Sequence, residues 1–405
     1  MRQKFALLCC AVLPCLSAPV MAQDGGPVDI GEGVTIDPMV AARLRYEMVD
    51  QDNGLESADA LTLRIRAGAE VKSGIISFLA EGEGNAPIID DFNDTLPGDG
   101  IEPFPVVADP GNFEVNRLQI SAKKDGTGVT LGRQRIILDN ARFVGNVGWR
   151  QNEQTFDAVR GEAKLGPVAL DATYSTSQRT IFGVDSPNKA FDGDFVFLGA
   201  GVKLPVADVK AFSYLIDYDD RIAFSSQTYG LLASGKLALP GGFALTAEAS
   251  YATQKDYGAN PVDYSADYLS AKLGATVLGF GLTAGYEELG SDGGVAAFQT
   301  PMATLHAFQG WADVFLTTPA GGVRDYYAGV SKSVTDIPVL GGINAAVTYH
   351  EFDSDFGGID YGSEWDASLG FKIGKVGLLA KYANYNAKNY AVDTEKFWLQ
   401  AEFSF

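Results

Sequence analysis

The feature that most limits what this chain can fold into is a period of two. Apolar and polar side chains alternate along segments of about ten residues, and the pattern recurs to the last residue. Val40, Ala42, Leu44, Tyr46 and Met48 share one face, and Arg43, Arg45 and Glu47 share the other. Leu61, Leu63, Ile65 and Ala67 oppose Thr62, Arg64 and Arg66 in the same way. Near the end, Trp365, Ala367, Leu369, Phe371 and Ile373 oppose Asp366, Ser368 and Lys372. Period two means strand, and a strand with one apolar and one charged face separates two environments.

Eighteen such segments can be counted, beginning near residues 34, 58, 75, 113, 128, 154, 168, 194, 208, 226, 242, 264, 279, 323, 342, 360, 376 and 394. Their connections alternate between short and long. Residues 72–74, 125–128, 166–167, 239–242 and 374–375 are tight turns, whereas 85–112, 140–153, 177–193 and 290–322 are long. A soluble β-sandwich also alternates, but eighteen strands would need several domains, and no linker or break in composition divides the chain. The pattern predicts an all-β fold, an 18-stranded antiparallel up-and-down transmembrane β-barrel with short periplasmic turns and long outer loops. Closure satisfies every backbone donor and acceptor in lipid, which an open sheet cannot do. The last strand carries Phe397, Leu399, Ala401, Phe403 and Phe405, and its aromatic end resembles the assembly signal of bacterial outer-membrane barrels. The expected location is therefore the bacterial outer membrane. Lipid and lipopolysaccharide are expected around the barrel, and the barrel-assembly machinery is expected to meet the Phe405 strand.

Residues 1–22 read as a signal peptide. Arg2 and Lys4 precede an apolar stretch, and Val20, Met21 and Ala22 form a cleavage site. All three cysteines, Cys9, Cys10 and Cys15, fall within it, so residues 23–405 contain no thiol. The net charge of −20 argues against nucleic acid, which calls for clustered basic residues.

If the apolar face meets lipid, the polar face lines a lumen. An 18-stranded barrel is wide enough for an aqueous channel unless something fills it. Residues 85–112 are the expected constriction, a long loop after the third strand that carries Asp90, Asp91, Asp94, Asp99, Glu102 and Asp109. Residues 290–322 form a second long outer loop. Ten arginines lie between Arg43 and Arg160 and only three after them. Phasing points Arg43, Arg45, Arg64, Arg66, Arg117 and Arg160 into the lumen. Arg133 and Arg135 share a face with Leu131 and Ile137. Together these eight define a basic wall, and guanidinium groups fork onto carboxylate or phosphate. A ladder of weak sites would let an anionic polymer slide through. The competing expectation is that the arginines pair with Glu47, Glu70, Glu81, Glu83, Glu114 and Glu162 and brace the wall.

Nothing points to catalysis, a metal or a cofactor. The two histidines, His306 in a long loop and His350 at a strand end, are not accompanied by the spacing of a metal site or a nucleophile.

One block is more specific. Gly132-Arg133-Gln134, Leu138-Asp139, the run from Ala141 to Asn152, Gln154-Thr155-Phe156-Asp157-Ala158 and Arg160 resemble the signature of the alginate export family of outer-membrane proteins. A second block, Gln299-Thr300-Pro301, Gln309-Gly310-Trp311-Ala312-Asp313 and Thr317-Thr318-Pro319, is similar to members of that family as well. The resemblance implies an 18-stranded barrel with an arginine-rich conduit for an anionic polysaccharide or its oligomers, passed by diffusion. A general anion or small-solute porin is the alternative. The resemblance departs at residues 373–376, a tight turn where the known exporter has a long periplasmic one.

Overall fold

A computed structural model describes residues 26–98, 103–335, 337 and 339–405; the expected signal peptide lies outside the described residues. The strands, in chain order, are β1 (Val34–Gln51), β2 (Ala58–Ser73), β3 (Ile76–Asp91), β4 (Asn112–Lys124), β5 (Thr127–Gln134) and β6 (Thr155–Leu165). They continue as β7 (Val168–Arg179), β8 (Ala190–Lys203), β9 (Asp208–Tyr218), β10 (Ser226–Ala238), β11 (Ala244–Asp256) and β12 (Ser265–Val277). The last six are β13 (Phe280–Leu289), β14 (Val323–Val334), β15 (Leu340–Asp353), β16 (Asp360–Ile373), β17 (Val376–Ala387) and β18 (Thr394–Ser404).

Each strand pairs antiparallel with its sequence neighbours, and β18 returns to β1 in a register that runs from Ala41↔Ser404 to Gln51↔Thr394. Phe405 N–H donates to the Val40 carbonyl at 2.7 Å and finishes the seam. The sheet is therefore a closed 18-stranded barrel. A short strand, Val28–Gly31, folds back on the start of β1 below this seam.

The turns at one end are as tight as the sequence implies. Lys124 pairs with Thr127, and the two residues between them, Asp125 and Gly126, have φ of 52° and 78°. Two consecutive positive φ values define the mirror-image turn that matches strand twist, which favours an Asp-Gly pair.

The outward face is apolar around the whole barrel, with Leu44, Ile65, Ile120, Leu198, Leu231, Leu273, Val330 and Leu399 exposed. Tyrosines and a tryptophan cluster outward at the long-loop end, where Tyr349 and Trp365 pack at 4.8 Å and Tyr286 and Tyr326 at 5.0 Å. Phe78, Phe243, Phe280 and Phe405 are exposed at the turn end. An apolar band between two aromatic girdles is the surface a lipid bilayer requires. The buried core lies inside the barrel, where segments from the long loops pack against the wall.

Candidate channel and its constriction

Two loops enter the lumen, residues 135–154 between β5 and β6 and residues 290–322 between β13 and β14. They meet there as a short piece of sheet. Gly145 N–H donates to Met302 O at 2.9 Å, Thr304 N–H to Ala141 O at 3.0 Å, and Val144 bridges Met302. Gln154 Nε2 donates to both Gly145 O (2.7 Å) and Met302 O (2.9 Å) and ties this junction to the wall. These loops can enter because they carry apolar side chains. Phe143 packs on Phe212, Tyr268, Tyr214 and Phe298 at 5.0–5.9 Å, and Phe315 packs on Phe352 at 4.8 Å. Burying one such ring stabilises by roughly 1.5–3 kcal/mol.

Strands take up part of the expected outer loop 85–112. β3 continues to Asp91 and β4 starts at Asn112, which leaves 92–111 as the connection, and residues 99–102 lie outside the described residues. Phe92 and Val107 of this connection pack against Val49, Ala58 and Ala60 of the wall. Asp109 reaches the interior network, at 3.8 Å from Arg45 and 3.6 Å from Arg150, and the Pro110 carbonyl accepts from Asn152 at 3.3 Å. These apolar residues dock on inward-facing positions of β1 and β2, beside the segments 135–154 and 290–322.

The arginines divide into three groups. Arg43, Arg45, Arg64 and Arg66 point inward as phased, but residues 148–151 cover them and they are buried. Arg43 Nη1 donates to the carbonyls of Gly148 and Trp149 at 3.1 Å, and Arg43 and Arg64 share Glu402 at 3.1 and 3.0 Å. Arg45 donates to Gln400 Oε1 at 2.7 Å and lies 4.0 Å over the Trp149 ring. Arg66 contacts Glu83 and sits 2.7 Å from Glu153.

Arg117, Arg135 and Arg160 are the partly exposed inward group. They pair with Glu81 (2.7 Å), Glu153 and Glu162 (3.2 Å). Lys210, between Asp139 and Asp171, and Lys272, at 3.5 Å from Glu248, extend this strip along the wall. Arg133 is the exception. Its cross-strand partner Leu118 and its strand neighbour Leu131 are both exposed outward, and Arg133 pairs with Asp157 on that face. The phase through Leu131 therefore governs Arg133, while Arg135, past the end of β5, turns in.

Two arginines outside the expected site hold the inner loops. Arg142 is almost fully buried and donates to Glu287 (2.7 Å), Thr300 Oγ1 (2.9 Å) and Gln309 Oε1 (3.1 Å). Arg150 forks onto Glu47 at 3.0 and 3.1 Å and lies 3.5 Å from Asp313. The sequence signal was present in the run from Ala141 to Arg150, where apolar, aromatic and arginine residues crowd a segment that a surface loop would fill with small polar ones.

Both histidines are buried. His306 stacks on Trp149 at 4.4 Å and 5°. Its Nδ1 donates to Asp313 at 2.8 Å, and its Nε2 accepts from Lys381 Nζ at 2.6 Å. Burial pushes the His306 ring well below its ordinary value, and the neighbouring Lys381 and Arg150 charges add to this against Asp313. Burial would raise the Asp313 carboxyl, yet the His306 donor, Lys396 and Arg150 hold it far below the usual carboxylate range. Glu153 is held down in the same way by Arg135 and Arg66 despite its burial. His350 Nδ1 lies 3.0 Å from both Asp325 oxygens, and its Nε2 is 3.7 Å from Asp366. Carboxylates thus flank both ring nitrogens, and among the described residues no group of three or more His, Cys, Asp or Glu is placed to hold a metal ion.

Between the second inner loop and β11–β16 a cavity of about 170 Å3 remains. Its lining joins Lys272 and Glu248 to Glu287, Asp325, His350 and Asp366, with Tyr268, Trp311 and Tyr327 among them. Along the described wall, a strip of partly exposed cations faces a more buried acidic wall across loops that narrow the lumen.

This is the fold of an outer-membrane porin, a closed barrel narrowed by its own loops. The chain is similar to the solved structures of Pseudomonas aeruginosa OccK9 (OpdG), with 16% identity, 91% of this chain and 98% of that one covered and a TM-score of 0.70. It is also similar to Pseudomonas aeruginosa OpdO (14% identity, 91% and 97% covered, TM-score 0.69) and Acinetobacter baumannii OccAB4 (13%, 91% and 98%, 0.67). No protein-family model matches the sequence, and no curated protein matches it. The likeness to alginate exporters therefore rests on the residue blocks alone.

Proposed function

We propose that this protein is a passive porin for small solutes in the bacterial outer membrane, without catalytic activity. The observation that carries this reading is the junction of residues 135–154 and 290–322 inside the barrel. It fills much of the lumen with aromatic side chains and favours small solutes over a polymer. The barrel has no energy-coupling segment among its described residues, so flux follows the gradient. The C-terminal strand that closes the seam is the natural contact for the barrel-assembly machinery, and lipopolysaccharide would surround the outer girdle.

A second reading is favoured by the strip of Arg117, Arg135, Arg160, Lys210 and Lys272. It is the conduit for anionic sugars, short uronate oligomers of the alginate kind, that the sequence resemblance implies. Against it, each of the eight arginines first assigned to substrate has a carboxylate or amide partner, which is what bracing requires.

Planar-bilayer recording of the refolded protein tests both. The porin reading expects small discrete conductance steps and fails if folded protein produces none. Block by oligomeric uronates but not by neutral sugars, relieved in Arg117→Ala/Arg160→Ala, would establish the anionic-sugar conduit. Equal indifference to both would leave a general porin.

A further inference from the structure

The inner wall carries a cluster of acids of which the loop anchors use only Glu287 and Glu364. Glu287 on β13, Asp325 on β14, and Glu364 and Asp366 on β16 all face inward, together with His350 on β15. The basic groups around them are Arg142, which is spent on Glu287, His350, which is held by Asp325, and Lys381. Four carboxylates therefore meet three basic groups, even with His350 counted as charged. Asp366 is 1% exposed and lines the 170 Å3 cavity; Glu364, Lys381 and His350 Nε2 at 3.7 Å surround it, and neither of its oxygens accepts a close hydrogen bond. A buried carboxylate in that state costs free energy unless a donor completes it. The surrounding geometry does not suit a metal ion. It does suit an ammonium group, because the same cavity presents the rings of Trp311, Tyr327 and Tyr268 beside the carboxylates. The protein already holds one such group nearby. The Lys381 ammonium lies 3.6 Å from the Trp311 ring and 4.0 Å from the Trp149 ring.

We propose that the cavity walled by Asp366, Asp325, Trp311 and Tyr327 is a binding site for the primary ammonium group of a small solute passing through the channel. The proposal rests on the porin reading for how the solute arrives, but binding itself needs no conduction. Asp366 accepts from the ammonium, the rings shield it from water, and Lys272, across the cavity, repels a second cation.

Folded protein in detergent, checked by heat-modifiable gel mobility, would be titrated with n-propylammonium, with propionate and with sodium, while tryptophan emission is followed. The expected result is a saturable change with n-propylammonium alone, weakened about ten-fold or more in Asp366→Asn. Asp325→Asn serves as a second variant in case Asp366→Asn fails to fold. No saturable response, an equal response to sodium, or unchanged binding in every variant that folds would overturn the proposal. Bilayer current is recorded in parallel. Channels that conduct without sensing the amine sink this inference alone, whereas amine binding by a protein that never conducts sinks the porin reading and leaves the site.

Discussion

An arginine inside this barrel is defined by the acid that meets it, and for some arginines that acid comes from far along the chain. Arg43 and Glu402 are 359 residues apart, and Arg142 and Glu287 are 145 apart. Alternation reveals which way an arginine points, but it says nothing about what lies opposite in a closed sheet. For that reason the inward direction of seven of the eight arginines was legible, and their role was not. Glu153 is the most connected of these acids, with Arg66 and Arg135 both upon it. Removing one member of such a buried network strands the others, so Glu153→Gln is expected to destabilise the barrel by about 3 kcal/mol. A urea midpoint in detergent that does not move would show the network to be energetically idle.

The loop anchor has a pH dependence with a definite sign. The His306 pKa is depressed in the folded state, so the unfolded or released loop takes up the proton first. Its contribution is complete above the ordinary value of 6.5 and declines as pH falls from there towards the depressed folded pKa. Glu153 and Asp313, also depressed, keep their contributions above their ordinary values of 4.5 and 3.8 and lose them only below. Protection of residues 290–322 from protease is therefore expected to weaken below pH 6.5 and again in stronger acid. In His306→Gln only the second step should remain. A single step at the same pH in both proteins would remove His306 from the account.

At the scale of the element, strands and loops differed in what the sequence disclosed. Every barrel strand begins within four residues of where alternation placed it, because lipid on one side and lumen on the other impose the same rule on each. Loops obey no such rule. Residues 85–112 stand out by length and acidity and their apolar residues dock on the inner wall, while the segments that meet inside the barrel are marked by Phe143, Val144, Phe298 and Met302. Their junction depends on close approach. A Cβ on Gly145 would lie 2.2 Å from Thr304 Oγ1 and 2.8 Å from the Ala141 Cβ. Gly145→Ala is thus expected to unseat the two loops at a cost of about 1–3 kcal/mol and to raise single-channel conductance. An unchanged conductance would mean that the junction does not limit the pore.

At the scale of the whole molecule, the apolar belt is what assigns the barrel to lipid. Leu231 lies near the middle of β10 and is 56% exposed. Leu231→Arg is expected to cost roughly 2–4 kcal/mol in reversible unfolding from liposomes, because a charge at mid-bilayer loses its water. A loss close to zero would mean that this face does not meet hydrocarbon.

The seam between β1 and β18 also dictates an order of events. The first strand waits for a partner that emerges some 350 residues later, and the Arg43–Glu402 and Arg64–Glu402 bridges cannot form before it arrives. Until then the sheet has two open edges, no enclosed interior for its charged side chains, and nothing against which the inner loops can pack. Closing so long a span is entropically slow. Native structure therefore comes as a late, concerted event, and a chain cut short by its last strand has no partly native state in which to rest.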